Sequence, residues 1–370
     1  MDRVVRVIDI ERDPDAPAAR VDEVTQPLEH DHEHGPGYAQ LVQLDRGEIE
    51  SLRFAGQYQL DRRLGRGGMA FVFGGEHLES GLPVAVKILL EDHSNHDQSL
   101  ARFLREARMG ALIHHPNVIE TFTYGSTPEG LIYLVMERLE GQDLGRLIAE
   151  HDGLPWARVR SVMLQICAGL GEIHSLGFVH RDVKPSNVFS IVTNGHETIK
   201  LLDFGIATRL DDTIDDVSID DPSSVIGTPR YMSPEQARGE PIDARSDVYS
   251  AGILLCELLT GKVPFSSELP LKVIDAQIHD APPELRRLAP EGARIESSIQ
   301  RVYARALAKD PNQRFANIGE MAAAIRAIKH HRTWRDLVAA LLASVGGIYA
   351  HASKRVAERR QVRREGSSAR

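Results

Sequence analysis

The chain of 370 residues has only two cysteines, Cys167 and Cys256. Both sit inside apolar helical patterns with no CxxC or Cys/His spacing around them, which excludes a disulfide framework and gives no zinc site. Glycine (30) and proline (19) fall well short of collagen-like or low-complexity usage. No apolar run reaches the length of a membrane span: the best, LVAALLASVGGIYA over 337–350, has 14 residues where about 20 are needed. The opening MDRVVRVIDIERD lacks the basic start, apolar stretch and small-residue cleavage site of a secretory signal, so a cytoplasmic setting is expected. Basic excess is also missing from most of the chain, whose formal net charge is −9. Residues 1–57 carry 6 basic and 13 acidic side chains, 58–328 carry 28 and 37, and only 329–370 are basic, with 10 and 3. A body of that sign does not suit duplex phosphates, and no nucleic-acid partner is expected.

What is present is a soluble composition, 42% hydrophobic and 26% charged, in a chain long enough for about two lobes plus tails. Residues 1–57 read as a flexible acidic leader with a tract His30-Asp31-His32-Glu33-His34, taken as a solvated linker in preference to a metal site. From Tyr58 short apolar strands follow, over Tyr58 to Leu64, Ala70 to Gly75 and Pro83 to Leu89. A helix with Leu100, Phe103, Leu104, Ala107 and Ala111 at 3.6-residue period comes next, then strands around Ile119 to Tyr124 and Leu131 to Glu137. Beyond Gly141 helical periods dominate. Val159, Val162, Met163, Ile166, Cys167, Leu170 and Ile173 define one broad buried face, and Val248 to Leu259 is apolar almost all round. The expected architecture is two-lobed α+β: a small β-rich lobe over 58–136 with one main helix, and a larger, mostly helical lobe over 137–328.

Several segments carry chemistry. Leu64-Gly65-Arg66-Gly67-Gly68-Met69-Ala70-Phe71-Val72 is a glycine-rich turn between two strands, a context that disfavours a dinucleotide-binding strand-to-helix turn and lets backbone N–H groups approach polyphosphate. In Val84-Ala85-Val86-Lys87 a lysine stands on an otherwise apolar strand and needs an anionic partner. Glu106, beside the apolar stripe of the following helix, is the natural one, although a surface lysine and a helix-surface glutamate fit the pattern equally well. Val179-His180-Arg181-Asp182-Val183-Lys184-Pro185-Ser186-Asn187 concentrates polar groups in one loop, and a later strand ends at Asp203-Phe204-Gly205. Asn187 and Asp203 are hard oxygen ligands suited to Mg²⁺.

Taken in order, these residues and Met232-Ser233-Pro234-Glu235 match the protein-kinase signature set over roughly three quarters of the chain. The chain resembles a eukaryotic-like serine/threonine protein kinase of the bacterial branch, which implies the two-lobed protein kinase fold with ATP and Mg²⁺. By that resemblance Asp182 accepts or orients the substrate hydroxyl proton, Asn187 and Asp203 hold Mg²⁺, and Lys87, steadied by Glu106, binds the α- and β-phosphates. Lys184 contacts the transferred phosphate and, with Thr228 in Gly227-Thr228-Pro229, indicates Ser/Thr over Tyr acceptors. Val72, Ala85 and Met136 enclose adenine, Glu137 to Leu139 form the hinge whose backbone bonds its edge, and residues Leu64 to Val72 form the phosphate-covering loop. Glu235 with Arg314 matches a buried ion pair of the family, and Asp247 is expected to cap the catalytic loop.

Two departures stand out. Ala70 replaces the third glycine of the loop, and the segment from Gly205 to Thr228 is acidic, with Asp211, Asp212, Asp215, Asp216, Asp220 and Asp221 against Arg209. Thr213, Ser218, Ser223 and Ser224 are candidate phosphoacceptors there, and Asp220 or Asp221 a candidate stand-in for a phosphate facing Arg181. Protein substrates bearing Ser or Thr, this chain included, are the expected partners. The tail segment 337–350 reads as a packed or partner-binding helix in preference to a membrane attachment. A nucleotide-binding pseudokinase scaffold is the chief alternative, and a small-molecule phosphotransferase the third.

Overall fold

The structure is a computed structural model that describes residues 36–66, 70–89, 96–202 and 229–328. The chain divides into two units, Met1–Ala327 and Ile328–Arg370, and all the described helices and strands lie in the first. Its N-terminal part is a six-stranded antiparallel sheet of β1 (Leu52–Phe54), β2 (Tyr58–Arg66), β3 (Ala70–His77), β4 (Pro83–Leu89), β5 (Thr121–Ser126) and β6 (Ile132–Glu137), in the order β1-β2-β3-β4-β6-β5. Helix α1 (Pro36–Asp45) precedes β1, and α2 (His96–Gly110) joins β4 to β5.

Alternation along these strands gives the sheet two faces. Phe73, Val84, Val86, Ile88, Tyr133 and Val135 fill a core on one side. Leu89 and Leu134 pack with Phe103 and Ala107 of α2 on the other. Gly110, at the end of α2, has no room for a Cβ, which would stand 2.4 Å from the Thr121 hydroxyl, so the helix closes directly onto β5.

Residues 36–57, expected to belong to a flexible leader, form α1, a turn and β1 instead. Leu41, Leu44 and Phe54 are buried in the same core as Phe73 and Tyr133. The Phe54 ring meets Tyr133 edge-on at 5.2 Å between centroids, Asp45 pairs with Arg63 on β2, and Leu52 to Phe54 pair in register with Leu60 to Tyr58. The physical reason is sharing. Three apolar side chains are too few for an independent core, but they complete one that β2 to β6 leave open. The His30 to His34 tract lies outside the described residues, as does the tail 329–370.

The C-terminal part is helical: α3 (Leu144–Ala149), α4 (Trp156–Ser175), α5 (Pro234–Arg238), α6 (Ala244–Thr260), α7 (Pro270–His279), α8 (Leu285–Leu288), α9 (Ser297–Ala306) and α10 (Ile318–Ala327). A small sheet of β7 (Gln142–Asp143), β8 (Val188–Thr193) and β9 (His196–Leu201) completes it. Helix α4 buries Val159, Val162, Met163, Ile166, Cys167, Leu170 and Ile173, while α6 is buried from Ser246 to Cys256. The N-cap Asp243 of α6 accepts the Arg245 N–H, and Gly261, at φ 69°, ends the helix in a conformation that favours glycine.

Glu235 and Arg314 meet through two bonds of 2.7 and 2.8 Å. Ser246 donates to the same carboxylate, and the guanidinium also donates to the carbonyls of Ala308, Arg245 and Lys309. A buried pair satisfied on both sides joins α5 to the chain after α9, where an unmatched charge would be costly.

If α1 and β1 are part of the core, Leu41→Ala and Phe54→Ala each lower the stability of the full chain by about 2–5 kcal/mol. Urea unfolding reads this directly, and unchanged midpoints in both variants would show that the segment only rests on the surface.

Candidate active site

Strand register decides which side chains meet on the site's upper wall. Val72, Lys87 and Leu134 stand opposite one another across β3, β4 and β6, and Gly74, Ala85 and Met136 form the next row of the same face. Lys87 Nζ donates to Glu106 Oε1 of α2 at 2.7 Å. The two side chains are 13% and 11% exposed, enough burial to make the pair costly to break. Val72, Ala85 and Met136 therefore share the face that presents Lys87.

Phe71, grouped with the phosphate-covering loop, needs correction. Its ring points away from Lys87 into the core with Phe73, and Arg63 and Arg66 lie over it at 5.8 and 5.3 Å. Period-two alternation requires this once Val72 faces Lys87, leaving Phe71 only its backbone for the hairpin. Leu64 is exposed and Gly65 and Arg66 end β2. Gly67, Gly68, Met69, Asp203, Thr228 and the acidic segment before Thr228 lie outside the described residues. Met136 is buried at the end of β6 and Leu139 is half-buried beyond it.

The lower wall is the loop after α4. Lys184 Nζ donates to Asp182 Oδ2 at 2.6 Å and Asn187 Nδ2 to the same oxygen at 2.8 Å. Asn187 Nδ2 donates also to the Asp182 carbonyl at 3.0 Å. Both side-chain bonds end on Oδ2 and leave the second carboxylate oxygen, Oδ1, outside them. Because the Asn187 amide nitrogen is committed to Asp182, its amide oxygen is what a hard cation such as Mg²⁺ would find.

Arg181 has φ 66°, a left-handed conformation that costs a non-glycine residue about 1–3 kcal/mol and persists only where the surroundings enforce it. Asp247 enforces it. Its carboxylate accepts the N–H of His180 at 2.8 Å and of Arg181 at 2.9 Å, while Gln236 Nε2 donates to the Arg181 carbonyl at 2.9 Å. His174 Nε2 donates to Asp247 at 2.7 Å. Sequence reading passed over His174 and Gln236. For His174 the available signal was its place one turn after Leu170 on the buried face of α4.

Burial acts to raise the Asp247 carboxyl, but the bond and charge of His174, the charge of His180 and the His180 N–H outweigh it and hold the group below its ordinary 3.8. Glu235 follows the same logic. Burial raises it, while the Arg314 bonds and charge and the Ser246 hydroxyl hold it below 4.5.

Comparison with known proteins agrees with this geometry. The profile of the family described as the protein kinase domain matches residues 58–332. The chain is 34% identical to serine/threonine-protein kinase pkn3 of Myxococcus xanthus, over 79% of this chain and 53% of that protein. It is 36% identical to PrkC of Bacillus subtilis, over 74% and 41%, and 38% identical to PknB of Mycolicibacterium smegmatis, over 72% and 42%. Thus the chain spans about half or less of the length of these curated relatives. A crystal structure of the PknI kinase domain of Mycobacterium tuberculosis superposes with a TM-score of 0.57 at 26% identity, covering 75% of this chain and 97% of that one.

A carboxyl whose folded value is depressed contributes stability that is full above its unfolded value and lost as pH falls through its folded one. Stability from these two groups is therefore expected to hold from neutrality down to their ordinary values of 4.5 and 3.8 and to be lost below them, as Glu235 and Asp247 take up protons in the folded chain. Urea unfolding across that range should give Glu235→Gln lower stability at neutral pH and a shallower acid slope. An unchanged slope would remove Glu235 from the account.

Proposed function

Since the chain belongs to the protein kinase family, we propose that it is a protein-serine/threonine kinase, moving the γ-phosphate of ATP to Ser and Thr hydroxyls of proteins, itself included. The observation that carries this reading is the loop in which Lys184 and Asn187 both bond the Asp182 carboxylate, together with the bonded Lys87 and Glu106 pair.

Each group has a physical task. Asp182 Oδ1 accepts the hydrogen bond of a substrate hydroxyl and aims its oxygen at the phosphorus. As the bond to that oxygen forms and the bond to the ADP oxygen breaks, the hydroxyl proton passes to Asp182. Lys184 already lies against Asp182 and shifts toward the transferred phosphoryl group, where it balances charge. Lys87, held by Glu106, binds the α- and β-phosphates. The backbone of residues Leu64 to Val72 covers them, and Val72, Ala85 and Met136 enclose the base, whose edge bonds the backbone of Glu137 to Leu139. Asn187 and Asp203 would hold Mg²⁺, which would supply neutralisation of the phosphate charge. Thr228 bonds Asp182 and Lys184. Lys184 and Thr228 together favour Ser/Thr over Tyr acceptors.

Around this unit, residues 58–328 carry the catalytic groups, and residues 329–370 form a tail of basic sequence. No helix among the described residues is long and apolar enough to cross a membrane. Catalysis in the cytoplasm fits Cys167 and Cys256, which are buried free thiols. A pseudokinase scaffold has no chemical use for Lys87, Glu106, Asp182, Asn187 and Asp203 together.

The test is intact mass after incubation with ATP, Mg²⁺ and a generic basic acceptor protein. Wild type should add phosphate to serine or threonine, and Asp182→Asn should be slower by about 10²–10⁴-fold. ATP binding with no phosphate added to either protein would instead select the scaffold.

A further inference from the structure

We propose that Lys200 is a positioning residue for the nucleotide, fastening the hinge at Glu137 onto β9, the strand that leads toward Asp203. Lys200 Nζ donates to Glu137 Oε1 at 2.5 Å and to the Val118 carbonyl at 3.3 Å. The same Glu137 carboxylate accepts the Glu120 N–H at 2.8 Å, and the Glu137 N–H donates to the Glu120 carbonyl at 3.0 Å. On its other side the segment 117–120 is bonded to β9. Leu201 N–H donates to the Asn117 carbonyl, Ile119 N–H to the Leu201 carbonyl, both at 2.9 Å, and Asn117 Nδ2 to the Ile199 carbonyl at 2.8 Å.

Segment 117–120 is thus clasped between β9 and the hinge, and Lys200 is the side chain that reaches across it. With the two side chains 14% and 24% exposed, the bond is charge-assisted and only partly screened. A nucleotide has its base at the hinge and its phosphates near the metal ligands, so a hinge fixed on the strand that runs toward Asp203 sets both ends in one register. Without Lys200, the Glu137 carboxylate loses its cation and turns toward water. The Glu120 N–H then loses its acceptor, and the hinge backbone loses a restraint next to Met136, which faces adenine. The loop that leads into Asp182 is held from elsewhere, by Asp247 through the N–H groups of His180 and Arg181, so transfer itself is spared. This inference rests on the reading of Glu137 to Leu139 as the adenine edge.

The experiment uses the full chain and measures Kd for a fluorescent ATP analogue with Mg²⁺, KM for ATP, kcat and the thermal midpoint. Lys200→Met should raise Kd and KM about fivefold, equivalent to roughly 1 kcal/mol, with kcat unchanged. Lys200→Arg, which keeps a donor in reach, should recover most of the affinity. Glu137→Gln should weaken binding similarly, and the double variant should be no weaker than either single one, because both remove one interaction. Should Lys200→Met fail to fold, Lys200→Arg against Glu137→Gln carries the same comparison. Unchanged Kd in the single variants, multiplicative losses in the double one, or a lowered thermal midpoint with unaltered Kd would each overturn the proposal. A wild type that binds the analogue but transfers no phosphate would sink the kinase reading and leave the Kd series to decide this one, whereas no nucleotide binding at all would end both.

Discussion

A carboxylate with no exposure to water, Asp247 at the head of α6, holds the loop on which the chemistry depends. Two backbone N–H groups and one imidazole converge on it. An acceptor of full negative charge in so dry a place is tolerable only because those donors are fixed. In return it keeps Arg181 in a conformation that the residue would not choose alone. The next residue in the chain is Asp182, so its direction is inherited from a charge carried by a helix far along the chain.

The site's charges are paired before any substrate arrives. Lys87 has Glu106, and Lys184 has Asp182. Each cation is already desolvated and oriented, which moves the cost of reorganisation from the reaction to folding. One carboxylate in each pair has a different origin: Glu106 is carried by a helix, Asp182 by a loop anchored on the central helix. The upper and lower walls are therefore stiffened by different parts of the molecule.

Much of this was legible in sequence because the signals are local. The period of α4, the apolar girth of α6 and the spacing from Lys87 to Glu106 follow from helix and strand geometry, and Asp247 and Glu235 fell where motif order put them. What was not legible depends on partners far away in the chain. Nothing in the residues around Lys200 names Glu137 as its partner, since the two meet only when β9 and the hinge flank residues 117–120. Phe71 was misread because a loop motif was treated as one unit, although its last residues are strand and alternate. The segment with α1 and β1 was misread for a related reason: its few apolar side chains are insignificant until the sheet they cover exists.

That segment also separates two notions of where a domain starts. The family match begins at residue 58, at the first residue of β2, yet Leu41, Leu44 and Phe54 are buried with residues of β2 to β6. A boundary of resemblance marks where sequences stop being comparable, and a boundary of folding marks where apolar surface stops being shared. Cut at the first, the polypeptide would open Tyr58, Phe73 and Tyr133 to solvent and leave β2 as a bare sheet edge, an invitation to pair with other chains. Any dissection of this protein by homology alone would thus fall inside its core.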